Sequence, residues 1–367
     1  MDFVLNGTIF RINNLQPSVD KAFLDLHASY FGNHCYDLDS FKSEAIVFFT
    51  SAINDTQKQD SFFNNLTIIW RKLLNESRFD EASALWEFTI NIALDWEQKN
   101  KGQHIHKGTP YYFWGMTTII RGDIDQGYAL MHQALEEDVR TLNNPFPDSP
   151  GLAFTTLDYK KVDQAFRDWV LQLANHLNSI LNINSSKYGG NLPLSIFRKK
   201  LLSSPPNRDI MFLFAHTVAK FYKFGLMPKH SLSSDFAGQL EMNLFFNIAL
   251  VIDAVIKNKN TGKNQFIDHA AFLSKKCHLN LTKSRLREIN KDFNNDFEGT
   301  LNQLLDDKYI SSGGLKVQHL SSSLAITYGI RNRGAHNISS VSTIWKRFED
   351  IKQHIFNTLF ISIEKLY

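Results

Sequence analysis

Residues 235–256 read DFAGQLEMNLFFNIALVIDAVI, with Leu240, Leu244, Ile248, Val251 and Val255 recurring at steps of three and four. That spacing places one apolar stripe along a helix of 3.6 residues per turn. Ser234 and Asp235 are residue types whose side chains satisfy the free N–H groups of a helix start, so the helix is expected to begin there. Toward the C-terminus, Leu286, Ile289, Phe293, Phe297, Leu301 and Leu305 keep one phase and predict a second helix over 285–305. After the turn Ser311-Ser312-Gly313-Gly314, a third helix carries Leu320, Leu324 and Tyr328. A fourth, from about Ser342 to Tyr367, repeats Trp345, Phe348, Ile351, Ile355, Leu359, Ile363 and Leu366. Four long helices in this span predict an antiparallel four-helix bundle over 233–367.

The first half carries the same periodicity and no convincing run of alternating strands, so the fold class is all-α. Residues 111–138, YYFWGMTTIIRGDIDQGYALMHQALEED, order their small and large residues as a helix-turn-helix repeat requires. Gly115, Gly122, Gly127 and Ala134 permit close approach and a tight turn, while Trp114, Met131 and Leu135 fill the space between. This resembles a tetratricopeptide repeat. Residues 66–93 offer a degenerate copy in which Ala82, Trp86 and Thr89 stand for Gly127, Met131 and Ala134, with an inserted loop around 100–110. Such a layer either offers a groove to a peptide, RNA or partner domain or serves simply as helical packing. Proline and glycine punctuate the chain at 143–151, 185–206 and 225–234. The last is read as the boundary between a helical, tetratricopeptide-like region at 1–228 and the bundle at 233–367.

Composition narrows the classes of function. With 43% hydrophobic residues and 30 phenylalanines inside periodic segments, the 367-residue chain is globular, and most of the phenylalanines are expected in the core. The opening MDFVLNGTIFRINN lacks the pattern of a secretory signal, and the apolar stretch 244–256 is interrupted by Asn247 and Asp253. A cytoplasmic protein without membrane contact is expected, with Cys35 and Cys277 as free thiols. The net charge is only +3. From residue 230 onward, however, 17 Lys/Arg stand against 13 Asp/Glu, and much of the excess lies between Lys257 and Arg287. That excess is either a solvated helix face or a surface that tracks RNA, with Lys283, Arg285, Arg287 and Arg333 as its candidate contacts. No glycine loop with a following Lys and Ser/Thr is present, so nucleotide hydrolysis is not expected. His104 and His106 flank Ile105, but no carboxylate or cysteine nearby is expected to complete a ligand set; both are read as loop residues, with no metal or cofactor expected. Glu136, Glu137 and Asp138 are read as a solvated turn.

The chemistry is expected at Arg331-Asn332-Arg333-Gly334-Ala335-His336, late in the third helix. Arg347 and His354 form a competing pair, but they lie within the apolar stripe of the last helix and are read as structural. RNRGAHN at the end of the penultimate helix of a C-terminal bundle resembles the HEPN superfamily, whose signature is an Arg, usually followed by a polar residue, and a His four to six residues on. The resemblance covers about residues 233–367. It implies a metal-independent endoribonuclease of a bacterial defence, stress or toxin system. In HEPN toxins paired with nucleotidyltransferase antitoxins a tyrosine stands two residues after the His; Ile338 stands there in this chain, so modification at that site is not implied.

RNA supplies its own nucleophile, the 2′-hydroxyl, so cleavage needs a base, an acid and positive charge on the phosphorane. His336 suits the acid or base role, Arg331 the phosphate, and Asn332 either holds the phosphate or orients His336. Five residues on a regular helix rotate by about 140°, so Arg331 and His336 would not share a face. Either Gly334 breaks the helix or two chains share the site. The resemblance implies the shared arrangement, hence a homodimer through the bundle, with the first half free for a protein partner or antitoxin. The alternative is a non-catalytic dimeric helical adaptor that binds a protein or RNA partner.

Overall fold

The computed structural model of the chain describes residues 2–5, 8–11, 38–53, 55–202, 205–226, 235–310, 313–336 and 342–367. Their regular elements are helices apart from one antiparallel pair of short strands, β1 (Asp2–Leu5) and β2 (Thr8–Arg11), with Phe3 opposite Phe10. Cys35 lies outside the described residues, and Cys277 is a free thiol that burial pushes up to about 11. By contacts the chain forms two compact units, 1–172 and 173–367. The division falls within a helix, whereas the punctuation at 225–234 suggested a boundary near 230; residues 227–234 lie outside the described set.

In the first unit, α1 (Leu38–Ser51), α2 (Thr56–Asn75), α3 (Phe79–Lys99), α4 (Gly108–Ile120), α5 (Ile124–Leu142) and α6 (Pro150–Thr155) follow one another. The hairpin α4–α5 is the most closely packed, for the reason read from its glycines. A Cβ on Gly115 would stand 3.0 Å from the Gly127 carbonyl oxygen, and one on Gly127 would strike Ile119. Gly122 makes the turn at φ +101°, a conformation that side chains resist. Trp70 and Trp86 flank Phe113 in the core, and Trp70 Nε1 donates to Thr117 Oγ1 at 2.7 Å.

The helix α7 (Gln164–Tyr188) leads into the second unit, which continues as α8 (Leu194–Leu201), α9 (Pro205–Gly225), α10 (Asp235–Lys257), α11 (Phe266–Lys276), α12 (Lys283–Asn295), α13 (Phe297–Leu305), α14 (Leu315–His336), α15 (Ser342–Lys346) and α16 (Phe348–Leu366). Two expected long helices are broken. The 285–305 stretch divides at Asp296, which leaves helical geometry and caps α13 by accepting from Gly299 N. The last helix divides at Arg347, which forms ion pairs with Asp306 and Asp350. The short helix α11 was not anticipated.

The expectation of an antiparallel bundle is corrected for the central helices. Ser323 meets His354 at 2.9 Å and Thr327 meets Thr358 at 2.9 Å, each pair 31 residues apart, so α14 and α16 run in the same direction. Phe245 packs on Phe348 at 5.0 Å while Val255 O accepts from Tyr367 Oη at 3.0 Å, which aligns α10 with α16 as well. Helix α9 runs the other way, with Phe221 near Phe348 and Asn207 near Tyr367. Short loops enforce antiparallel neighbours; here the segments 258–314 and 337–347 are long enough to return the chain. By length and composition α10 could cross a membrane, but 56% of that window is buried against the rest of the protein, as befits a core helix.

Candidate functional site

Helix α14 owes its position to its lack of an exposed side: Leu320 to Ile330 are all buried. Small residues make this possible. A Cβ on Gly329 would run into the Phe293 ring of α12. Along α16 the seam is polar: Ser323 Oγ meets His354 Nδ1, and Asn357 Nδ2 donates to Ser323 Oγ at 2.9 Å. Burial in this seam depresses the His354 pKa to about 3. Arg347 and His354 are therefore held by structural contacts.

Arg331 emerges where α14 leaves this core. Its Nη2 lies 3.4 Å from Asp253 Oδ2, and the other oxygen of Asp253 meets His269 Nδ1 at 2.5 Å. His269 Nε2 faces the Lys263 carbonyl oxygen at 3.2 Å, so the imidazole is clamped on both edges. The side chains grade outward, His269 1% exposed, Asp253 16% and Arg331 27%. The guanidinium lies 5.6 Å from the centre of the Phe266 ring, and its Nε has no hydrogen-bond partner among the described residues. Sequence reading missed Asp253 and His269 as partners. The signal for Asp253 was a carboxylate inside an apolar helix, which needs a compensating group.

The neighbouring positions divide. Asn332 Nδ2 donates to Asn290 Oδ1 at 2.9 Å, and Asn332 also bonds the Tyr328 hydroxyl. Burial raises the Tyr328 pKa, while that bond and the charges of Arg287 and Arg331 oppose the shift. Arg333 turns elsewhere, its guanidinium 4.1 Å from the centre of the Phe297 ring, where burial lowers its pKa. Lys283 pairs with Asp268 and, with Lys263 and His269 nearby, holds that carboxyl below its usual range. Arg285 pairs with Glu288 at 2.9 Å and lies over the Tyr309 ring. Lys263 and Lys283 thus act on Asp268 beside His269, Arg331 reaches Asp253, and Arg287 shares with Arg331 an influence on Tyr328, whereas Arg285 and Arg333 engage other partners.

Helix α14 continues without a break through Gly334 to His336. The option in which Gly334 opens the helix is not realised, and the rotation of about 140° between positions 331 and 336 stands. The side chain of His336 and residues 337–341, Ile338 included, lie outside the described residues.

A second cluster, in the first unit, corrects the reading of Glu136–Asp138 as a solvated turn. His104 lies in a loop, as read, yet its ring nitrogens meet Glu97 at 2.8 Å and Glu137 at 3.0 Å. His106 Nε2 lies 3.3 Å from Asp138. Lys107 Nζ stands between Glu97, at 2.6 Å, and Glu137, at 3.6 Å. Its amine thus already sits between the two carboxylates, and the network locks the loop to α3 and α5. Burial lowers the His104 pKa, as does the Lys107 charge, against Glu137 and Glu97.

The chain matches no protein-family model, no curated protein and no solved structure.

Proposed function

We propose that the chain is a metal-independent endoribonuclease that cleaves RNA by attack of the 2′-hydroxyl, in a bacterial defence, stress or toxin system. The observation that supports it is the group around Arg331: a guanidinium anchored at one end by Asp253 yet 27% exposed, which shares with Arg287 an influence on Tyr328, while Lys263 and Lys283 act on Asp268 next to His269. In this reading the fork of Arg331 takes the phosphate as charge develops, Asn332 sets the local geometry, and His336 exchanges the proton. Because positions 331 and 336 stand about 140° apart around the helix, a site is completed across a two-fold axis, Arg331 of one chain meeting His336 of the other. The tetratricopeptide-like helices of the first unit supply a surface for a regulatory partner. Purified protein incubated with single-stranded and structured RNA in EDTA tests the reading. Cleavage by wild type, and none by Arg331→Ala or His336→Ala proteins that still dimerise, is the expected outcome.

One observation favours a second reading, a non-catalytic dimeric adaptor. Asp253 engages the expected catalytic Arg331, and Asp268 and Glu288 engage the expected RNA contacts Lys283 and Arg285, as structural ion pairs do. That reading predicts intact RNA in the same assay.

A further inference from the structure

The second unit holds a cavity of about 260 Å³ that none of the residues around Arg331 lines. It lies among the end of α7, the end of α11, the start of α14 and the last turns of α16. Its wall has two characters. Tyr188, Leu320 and Ile361 form an apolar side, and Lys276, Lys316 and Lys365 bring three cationic side chains to the same space. Glu364 also lines the cavity and partly neutralises Lys365, whose Nζ lies 3.6 Å from it. Lys276 and Lys316 meet no carboxylate within salt-bridge distance among the described residues; Lys276 instead lies over the Phe272 ring.

The glycine pair after α7 shapes the place of Lys316. Gly189 adopts φ +68°, and the Lys316 amine stands 3.5 Å from where a Cβ on Gly189 would be. The amine is thus seated against bare backbone beside the cavity. Asn184 and Asn357, both buried and both lining the space, fix each other through a 2.8 Å bond. Two uncompensated amines next to an apolar wall lower the energy of an anion that brings its own apolar body. The volume is just under the ~300 Å³ at which drug-sized pockets begin, so the ligand is small.

We propose that this cavity binds a small organic phosphate, the phosphate group between Lys276 and Lys316 and a planar or apolar body against Tyr188, Leu320 and Ile361. The site is independent of the ribonuclease reading.

Calorimetric titration of the full chain with AMP, adenosine and inorganic phosphate tests it. AMP binds saturably and more tightly than either fragment, and raises the melting temperature by an amount that grows with the logarithm of its concentration above the dissociation constant. Replacing both amines, Lys276→Ala with Lys316→Ala, weakens AMP binding about tenfold or more, since each charge-assisted contact is lost. Both lysines are exposed, so the double variant keeps the fold, and Lys199→Ala on α8, also exposed, leaves binding unchanged. The proposal is overturned if neither AMP nor phosphate binds saturably into the millimolar range, if AMP binds no better than its fragments, or if the double variant binds AMP as wild type does.

Discussion

Asp253→Asn keeps the shape of the side chain that links Arg331 to His269 and removes its charge. The two links differ in kind. The contact to Arg331 is long, 3.4 Å, and partly wet, so its loss costs about 0.5–1 kcal/mol. The contact to His269 is 2.5 Å with the imidazole 1% exposed, and removing the charged partner of such a buried bond costs about 2–3 kcal/mol. Together these give a loss of about 3 kcal/mol. For a unit the size of 173–367 each kcal/mol moves the midpoint by about 2–4 °C, so melting falls by about 6–12 °C. Denaturation of Asp253→Asn, His269→Gln, Arg331→Ala and the paired variants gives the couplings directly. The Asp253–His269 coupling comes out near 2 kcal/mol and the Asp253–Arg331 coupling below about 1 kcal/mol. The reverse order would mean that Asp253 exists to hold Arg331 in the fold, and would refute an arginine left free to work on phosphate.

Three further outcomes follow from the packing. His354 is neutral in the folded chain, with its pKa depressed from 6.5 to about 3, so its contribution is complete above pH 6.5 and falls away as the pH drops toward 3. Urea midpoints should decline with acid across that window with a slope up to about 1.4 kcal/mol per pH unit, and a His354→Gln chain that declines equally fast would count against it. Gly329→Ala sets a methyl against the Phe293 ring and should cost about 1–3 kcal/mol; unchanged chemical denaturation would show that α12 and α14 are not packed this closely. Lys107→Met leaves Glu97 and Glu137 facing each other without their cation and should destabilise by about 3–5 kcal/mol, measured by thermal melting; a neutral result would mean the network is solvated.

Long, strongly periodic segments were the most legible in the sequence. The stripes of α10 and α16 were readable because apolar side chains at three- and four-residue steps fix both helix and buried face. The glycines of α4 and α5 foretold a close hairpin because a missing side chain has few other uses there. The break at Asp296 was hidden by an apolar phase that continues from Phe293 to Phe297 across it, and α11 by its shortness and two terminal lysines. Helix direction was not legible at all, since it depends on how far the connecting segments travel. Nor were the partners of Arg331: Asp253 and His269 are distant in sequence from Arg331 and meet it only after α10, α11 and α14 pack. Spacing did carry one point through, for a regular helix to His336 sets positions 331 and 336 about 140° apart.

Mixing of inactive variants tests the central claim most directly. Arg331→Ala and His336→Ala chains, each silent on RNA in EDTA, are allowed to exchange subunits. If the site is shared across the two-fold axis, mixed dimers retain one intact Arg331–His336 pair, and cleavage returns to about one quarter of the wild-type rate. A mixture that exchanges subunits and stays as silent as its components, or a wild-type chain that leaves the RNA intact, contradicts the shared ribonuclease site.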